Sequence, residues 1–288
     1  MRHLVMGGTG TVGSLVVAGL LKKGEDVAVL TRDTGKAKRL PKGVKAVGGD
    51  LTNPDHYEGI FKDYDHLFLL TANGPTDLME GLAAVNEARR TGARRVVHLS
   101  IHDVEKCPEA PHCASKIAIE AALKRSGLPW TILRPINFYQ NDYWWKDVIL
   151  QYGIYPQPIG SVGLSRVDTR DIADAAVRAL TESGHTSKTY VLAGPDALTG
   201  DDCARAFSEA LGRKVAYGGD DLPAWGKSMK PYLPAWLDFR EGKLYANDRP
   251  GLGVELDLKP LKLVSEITQR ITARAQVYYR PDGSITNW

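Results

Sequence analysis

The sequence predicts an α/β protein: a doubly wound parallel sheet followed by a smaller C-terminal α/β cap. Three observations lead there. Short apolar runs alternate with helical patterns through the first 135 residues, an order that lays strands side by side with helices between them. Runs such as HLFLL (66–70) and VVHL (96–99) are apolar on both faces, as a strand covered on both sides requires. A glycine-rich stretch joins the first strand to the first helix.

In chain order, HLVMG (3–7) reads as a strand and TVGSLVVAGLLKKG (11–24) as a helix. Leu15, Val16, Ala18, Gly19 and Leu20 form its apolar face, and Gly24 ends it. DVAVLTR (26–32) and VKAVGGD (44–50) are the next strands, and a short helix starts at Pro54. DHLFLLTA (65–72) precedes a helix near 77–91, and RRVVHLS (94–100) follows. HCASKIAIEAALKRSG (112–127) is helical to Gly127, and WTILRP (130–135) is a strand. Beyond Pro135, residues 136–160 are rich in aromatics and turns and do not read as another strand–helix unit. A helix at 170–182, a strand at 188–194 and a helix at 201–211 come next. The tail from Asp220 is dense in Pro, Gly, Trp and Tyr, includes Trp225 and Trp236, and ends in a strand-like AQVYYRPDG. The expected division is a nucleotide-binding core over 1–135, to which 165–195 adds a last helix and strand. Residues 136–164 and 196–288 form a substrate-binding cap.

Composition narrows the function classes. Of the 288 residues 43% are hydrophobic and 25% charged, the balance of an ordinary globular protein. A formal charge of +3 gives no reason to expect nucleic acid, and RRTGARR (89–95) reads as a solvated helix end. No stretch reaches the roughly 18 apolar residues a membrane span needs. The chain opens directly into a strand, so no signal peptide is expected. Cys107, Cys113 and Cys203 are odd in number and widely spaced, which suggests neither a disulfide framework nor a metal site. The expectation is a reduced, cytoplasmic protein.

The glycine stretch GGTGTVG (7–13) carries Gly8-x-Gly10-x-x-Gly13 directly after a strand and at the mouth of a helix, the context in which this spacing marks a dinucleotide site of the Rossmann type. Gly7, Gly8, Thr9, Gly10, Thr11 and Val12 would hold phosphates on the helix N-terminus. At the end of the second strand an NAD site usually places an acid; here Thr31-Arg32 stands instead, with Lys36 close behind. Cations there suit an extra 2′-phosphate, so NADP(H) is expected over NAD(H). Asp50 and Leu51 end the third strand, and Thr71, Ala72 and Asn73 the fourth, on the ligand-binding side of such sheets. Asp50 reads equally as an adenine acceptor or a turn carboxylate.

Together GGTGTVG, LTRD, GGDL, VVHLS, ASKIAIEAALKRSGLPWTILRP, NFYQN and VDTRDIADAA resemble the short-chain dehydrogenase/reductase superfamily in its atypical, NmrA-like branch. They span about residues 4–180. The resemblance implies an NADP(H)-dependent reductase of quinones, dyes or enones, or a regulator that binds the dinucleotide without turning it over. It places Lys116 at the lysine, and Ser100 at the serine, of the superfamily's reductive site. Its tyrosine position holds His112. Thr71, Asn73, Ser100 and Lys116 would line the nicotinamide side, and Pro135 and Phe138 are also expected among the cofactor-binding residues. His112, alternatively an inert residue at the helix entry, and Tyr139 are the candidate proton donors beside Lys116; His102 and Asp103, just past Ser100, either reach the same cleft or are surface loop residues. Asp168 and Asp171 would shape a turn and cap the next helix. Phe138, Tyr139, Tyr143, Trp144 and Trp145 either flank a flat ligand or fasten the cap to the sheet. The expected function is hydride transfer to a small aromatic, quinone-like or conjugated carbonyl acceptor, with a redox sensor acting through a protein partner as the alternative. The expected partner is a small conjugated molecule, with no nucleic acid, membrane or metal and with a homodimer left open.

Overall fold

The computed structural model describes residues 1–33, 35 and 40–220, and beyond them four short strands. The described chain divides into one unit of Met1–Asp220 and another of Asp221–Trp288. In the first, β1 (Arg2–Met6), β2 (Asp26–Thr31), β3 (Lys45–Gly48), β4 (His66–Leu69), β5 (Arg95–Leu99), β6 (Trp130–Pro135) and β8 (Lys188–Leu192) form a seven-stranded sheet. Every pair is parallel and the order is β3-β2-β1-β4-β5-β6-β8. Parallel neighbours need crossovers, and helices supply them: α1 (Thr11–Lys22), α3 (Asp77–Thr91), α4 (Pro111–Arg125) and α6 (Thr169–Thr181). A short α2 (Pro54–Tyr57) follows β3.

Side-chain alternation along the strands divides the core between two faces. Val5 of β1, Val29 of β2 and Phe68 of β4 point to one side, where Val16 and Leu20 of α1 meet Ile172 and Ala176 of α6. Leu4, Ala28, Leu67 and Leu69 point to the other, under Ala84 and Ala88 of α3 and Ile119 and Leu123 of α4. Strands buried on both faces explain the unbroken apolar runs of the sequence. The chain leaves β1 toward β2 and β3 on one side, and β4 lies on the other. The sheet therefore opens a crevice at the carboxyl ends of β1 and β4, where doubly wound sheets bind ligands.

Most expected strands overrun the observed ones by a residue or two at the carboxyl end. Arg32, Gly49 and Asp50, Leu70 to Ala72, and Ser100 all lie in loops just past β2, β3, β4 and β5. The aromatic segment after β6 forms a 3₁₀ turn (Tyr139–Trp145), α5 (Lys146–Tyr152) and β7 (Ile154–Tyr155). The helix α5 went unread in the sequence because its turn-rich flanks mask a stretch of only seven residues. The strand β7 pairs in parallel with β9 (Ala216–Tyr217), and α7 (Gly200–Leu211) packs beside them, its Cys203 and Ala204 clustering with Ile149, Tyr155 and Val215. The second unit contains two antiparallel pairs: β10 (Asp238–Arg240) with β11 (Lys243–Tyr245), and β12 (Tyr278–Tyr279) with β13 (Ile285–Thr286). Trp225, Trp236 and Lys36 lie outside the described residues.

One expectation is corrected here. Cys107 and Cys113 are joined as a disulfide, leaving buried Cys203 as the free thiol. The spacing of six residues hid the pair. Pro111 starts α4, which packs against the 3₁₀ turn Val104–Lys106 that precedes it.

A buried arginine joins the small α/β layer to the sheet. Arg166, 1% exposed, donates to both oxygens of Asp142, each at 2.8 Å. It also donates to the Asn137 side chain (3.1 Å), the Phe138 carbonyl (2.8 Å) and the Tyr155 hydroxyl (3.1 Å). Its guanidinium lies over the Tyr139 ring at 5.2 Å. A buried charge is tolerated when its donors are used in this way. Arg166→Met would strand the Asp142 carboxylate, whose side chain is 14% exposed. We expect a loss of about 2–4 kcal/mol, below the full buried-pair cost because water reaches Asp142; a fall in the urea midpoint, partly reversed by adding Asp142→Leu, would measure it.

Candidate active site

The loop after β1 lies low against the sheet. Gly7 takes a left-handed φ of +69°, and its carbonyl accepts from the Gly10 amide at 2.9 Å. A Cβ on Gly13 would sit 2.1 Å from the Gly7 carbonyl oxygen, and one on Gly8 2.6 Å from Val29 Cγ2. The loop therefore presents backbone where side chains would otherwise stand. The helix α1 starts after Gly10 with no side-chain cap, and its first amide to bond back is Ser14, to Gly10 at 3.0 Å. Amides of Thr11, Val12 and Gly13 have no helical partner, and the helix end adds partial positive charge.

Above this loop lies a cleft of about 380 Å³. Its walls are Gly7, Thr9 and Gly10; Thr31, Arg32 and Asp33; Gly49 and Leu51; Leu70, Thr71 and Ala72; and Glu80. Of the residues expected to bind a nucleotide, Gly7, Thr9, Gly10, Arg32, Leu51, Thr71 and Ala72 converge here from four strand ends. Gly8 is buried beneath, and Thr11 and Val12 begin α1. Arg32 is 66% exposed and reaches Glu80 at 3.8 Å. Glu80, not anticipated in the sequence, is brought in by the first turn of α3 and accepts from Thr76 Oγ1 at 2.7 Å. Asp50 Oδ1 accepts from the Thr52 amide (2.9 Å) and hydroxyl (2.7 Å). Those bonds, aided by the Arg32 charge, hold its carboxyl below the usual range. Asp50 thus braces the turn next to the cleft. Asn73 is exposed in the loop after β4 and is absent from the cleft lining.

Lys116 is almost fully buried. Its ammonium is drawn beneath the cleft floor, where it donates to Thr71 Oγ1 (2.8 Å) and Asp77 Oδ1 (2.9 Å). Thr71 donates to the same Asp77 oxygen at 2.5 Å. The two charged side chains are 3% and 1% exposed, and a buried ammonium needs such a counter-charge. Lys116 therefore meets the cleft through Thr71. Asp77 Oδ2 has no partner among the described residues. Ser100 likewise points inward, donating to Glu120 Oε1 at 2.7 Å. Glu120 also receives Arg134 (2.9 and 2.6 Å) and Lys124 (2.9 Å). Its burial raises its pKa, but these hydrogen bonds outweigh that and hold it at about 2.

The remaining candidates are spread across the same edge. His112 is exposed in the first turn of α4, its Nε2 3.6 Å from Cys113 Sγ. His102 Nε2 lies 3.4 Å from Asp103. Pro135 is buried and its carbonyl accepts the His102 amide at 3.0 Å. Phe138 packs against the sheet core. Tyr139 lines a second cavity, about 460 Å³, with Asp142, Tyr143, Ile149, Leu150 and Phe207. Tyr143 and Trp144 are 74% and 78% exposed, so they do not act as fasteners of this layer. Asp168 caps α6 through the Arg170 amide at 2.7 Å. A wider groove of about 920 Å³ runs between α2, α3 and α4, lined by Leu78, Met79 and Leu82. It lies away from the glycine loop and carries none of its free amides. Among the described residues, no cluster of three His, Cys, Asp or Glu could hold a metal ion, and no helix is long and apolar enough to cross a membrane.

Acid stability follows from the buried histidines. His98 is held at about 4 by burial and then by the Lys116 charge. Burial, with His3 and Arg95 adding to it, holds His66 at about 4 too. Both lie below the ordinary value of about 6.5, so the unfolded chain binds protons first. Stability present above about 6.5 should fall as pH drops toward 4, and Glu120 extends the loss from its ordinary ~4.5 down to about 2. Urea midpoints measured against pH should show this, and His66→Gln/His98→Gln should flatten the segment between 6.5 and 4. A Gly13→Ala variant should lose about 1–3 kcal/mol from the forced clash, read as a lower melting temperature.

Known proteins match this chain along most of its length. A family model for the NmrA-like family matches residues 2–221. The NAD(P)H azoreductase of Xenophilus azovorans is 34% identical over 247 residues, covering 84% of this chain and 86% of the relative. A (4-alkanoyl-5-oxo-2,5-dihydrofuran-3-yl)methyl phosphate reductase of Streptomyces griseus is 31% identical over 269 residues, 93% of each chain. Among solved structures, an Escherichia coli NADPH-dependent quinone oxidoreductase complexed with NADPH superposes with a TM-score of 0.74 at 23% identity. It covers 81% of this chain and 83% of its own. Glycine loop, strand order and relatives agree: the chain belongs to the NmrA-like family.

Proposed function

We propose that the chain is an NADP(H)-dependent reductase that passes hydride to a small aromatic, quinone-like or conjugated carbonyl acceptor. The observation that carries this reading is the pairing, in one cleft, of a helix mouth with unused amides and an exposed arginine at the end of β2. The relatives named as an NAD(P)H azoreductase and a 5-oxo-2,5-dihydrofuran-type phosphate reductase support the acceptor class. The cradle fits a dinucleotide: Gly8 and Gly13 have no room for a side chain beneath it.

In this reading the amides of Thr11, Val12 and Gly13 bind the diphosphate, and Arg32 binds the 2′-phosphate. Thr71, oriented by Asp77 and Lys116, fixes the floor on the nicotinamide side. The bound nicotinamide would supply hydride, which needs positioning more than a protein base. Phe138 and Tyr139 would flank a flat acceptor. His112 and Tyr139 are the side chains offered as proton donors, and electron-poor acceptors can also take the proton from water. We place the activity in the cytoplasm.

The second reading, a dinucleotide-binding redox sensor, draws on two observations: position 112 has no tyrosine and Lys116 is engaged by Asp77. NADPH oxidation with a panel of quinones, azo dyes and enones discriminates the two. The reductase turns over at least one class, whereas a sensor binds tightly and oxidises none. Arg32→Ala should weaken NADPH by about tenfold while leaving NADH nearly unchanged, since it removes one charge-assisted contact. Glu80→Gln should strengthen NADPH by roughly 1.5- to 5-fold, as expected for a long, partly exposed pair that competes for Arg32. Isothermal titration with both coenzymes reads each change.

A further inference from the structure

We infer that Cys107 and Cys113 form a reversible thiol–disulfide site that sets how firmly the loop between β5 and α4 is held against the helix it leads into. Cys107 ends the 3₁₀ turn, and Cys113 lies in the first turn of α4, three residues past its N-cap Ala110. The bond therefore staples the loop after Ser100 to the helix that carries His112 and Lys116. A disulfide in a reducing compartment is most often transient or redox-sensing rather than structural.

Two features make this bond exchangeable. The Cys107 residue is partly exposed and Cys113 is 1% exposed, so an external thiolate attacks at Cys107. The departing sulfur is then Cys113, which sits at a helix N-terminus with His112 Nε2 3.6 Å away. Both neighbours stabilise a thiolate, and a better-stabilised thiolate leaves faster. With glutathione as the thiol, its thiolate attacks Cys107 Sγ, the Cys107–Cys113 bond breaks, and Cys113 leaves as thiolate. A second glutathione thiolate attacks the mixed disulfide, releasing the Cys107 thiolate and glutathione disulfide. Each cysteine thiolate can take its proton from water. Two electrons pass from two glutathiones to the cysteine pair, and glutathione disulfide reverses the sequence.

The fold can tolerate both states. Val104 is fully buried, and the Glu105 carboxylate meets Arg134 at 2.6 Å. The His102 amide bonds to the Pro135 carbonyl at 3.0 Å, and Ala110 to Cys107 at 3.1 Å. Reduction should therefore loosen only the short stretch from Lys106 to Pro111. That stretch lies one ion pair from the Arg134–Glu120–Ser100 network. Lys106, with a side chain 77% exposed, offers trypsin a cut within it.

The test uses the full chain after equilibration with reduced or oxidised glutathione, and its readouts do not involve coenzyme. The oxidised protein should be lighter by two hydrogens, with a linked Cys107–Cys113 peptide and Cys203 still free. The reduced protein should be cut after Lys106 roughly three- to tenfold faster, as local opening becomes easier. A Cys107→Ser variant should be cut at the reduced rate under both conditions. The inference is overturned if both cysteines take up alkylating reagent after oxidation. Equal cleavage rates for the two forms of the wild-type chain would overturn it as well.

Discussion

The structure depends on one constraint: the first helix begins with unsatisfied amides held against the sheet by a loop too tight for side chains. Gly13 lies so close to the Gly7 carbonyl that any Cβ would overlap it, and α1 starts without a side-chain cap. A helix end left so exposed is stabilised by an anion. Its position at the divergence of β1 and β4 means that neighbouring strand ends must supply the rest of the site. Arg32, Leu51 and Thr71 do so from β2, β3 and β4.

Buried charge determines which side chains are free to act. Lys116 and Asp77 neutralise each other under Thr71, and Glu120 gathers Ser100, Arg134 and Lys124. Both groupings tie α4 to the sheet below the cleft. They leave His112 exposed at the start of α4 and Tyr139 lining the second cavity. Such an arrangement suits chemistry in which positioning outweighs acid–base assistance. On the far side, Arg166 holds the Phe138–Asp142 segment by its backbone and carboxylate, so the aromatic wall is anchored while Tyr143 and Trp144 remain exposed.

Much of this was legible in the sequence wherever the signal is local. The glycine spacing, the apolar strands and the cation after β2 are each encoded within a few adjacent residues, and the helix read at 77–91 is α3. Illegible features come from pairings across the chain. Lys116 meets Asp77 at a separation of 39 residues and Arg166 meets Asp142 at 24. Nothing in either neighbourhood signals its partner. Glu80 reaches the cleft only because α3 starts beside Arg32, and the Cys107–Cys113 pair depends on the turn before α4. The seven residues of α5 lacked the length that makes periodicity readable.

The central claim is that this cleft recognises a dinucleotide by its phosphates. Calorimetric titration of the unmodified protein with NADPH and NADH tests it most directly. The account predicts saturable binding of both, with NADPH the tighter ligand. Absence of binding heat from either coenzyme, at any temperature that keeps the chain folded, would contradict it.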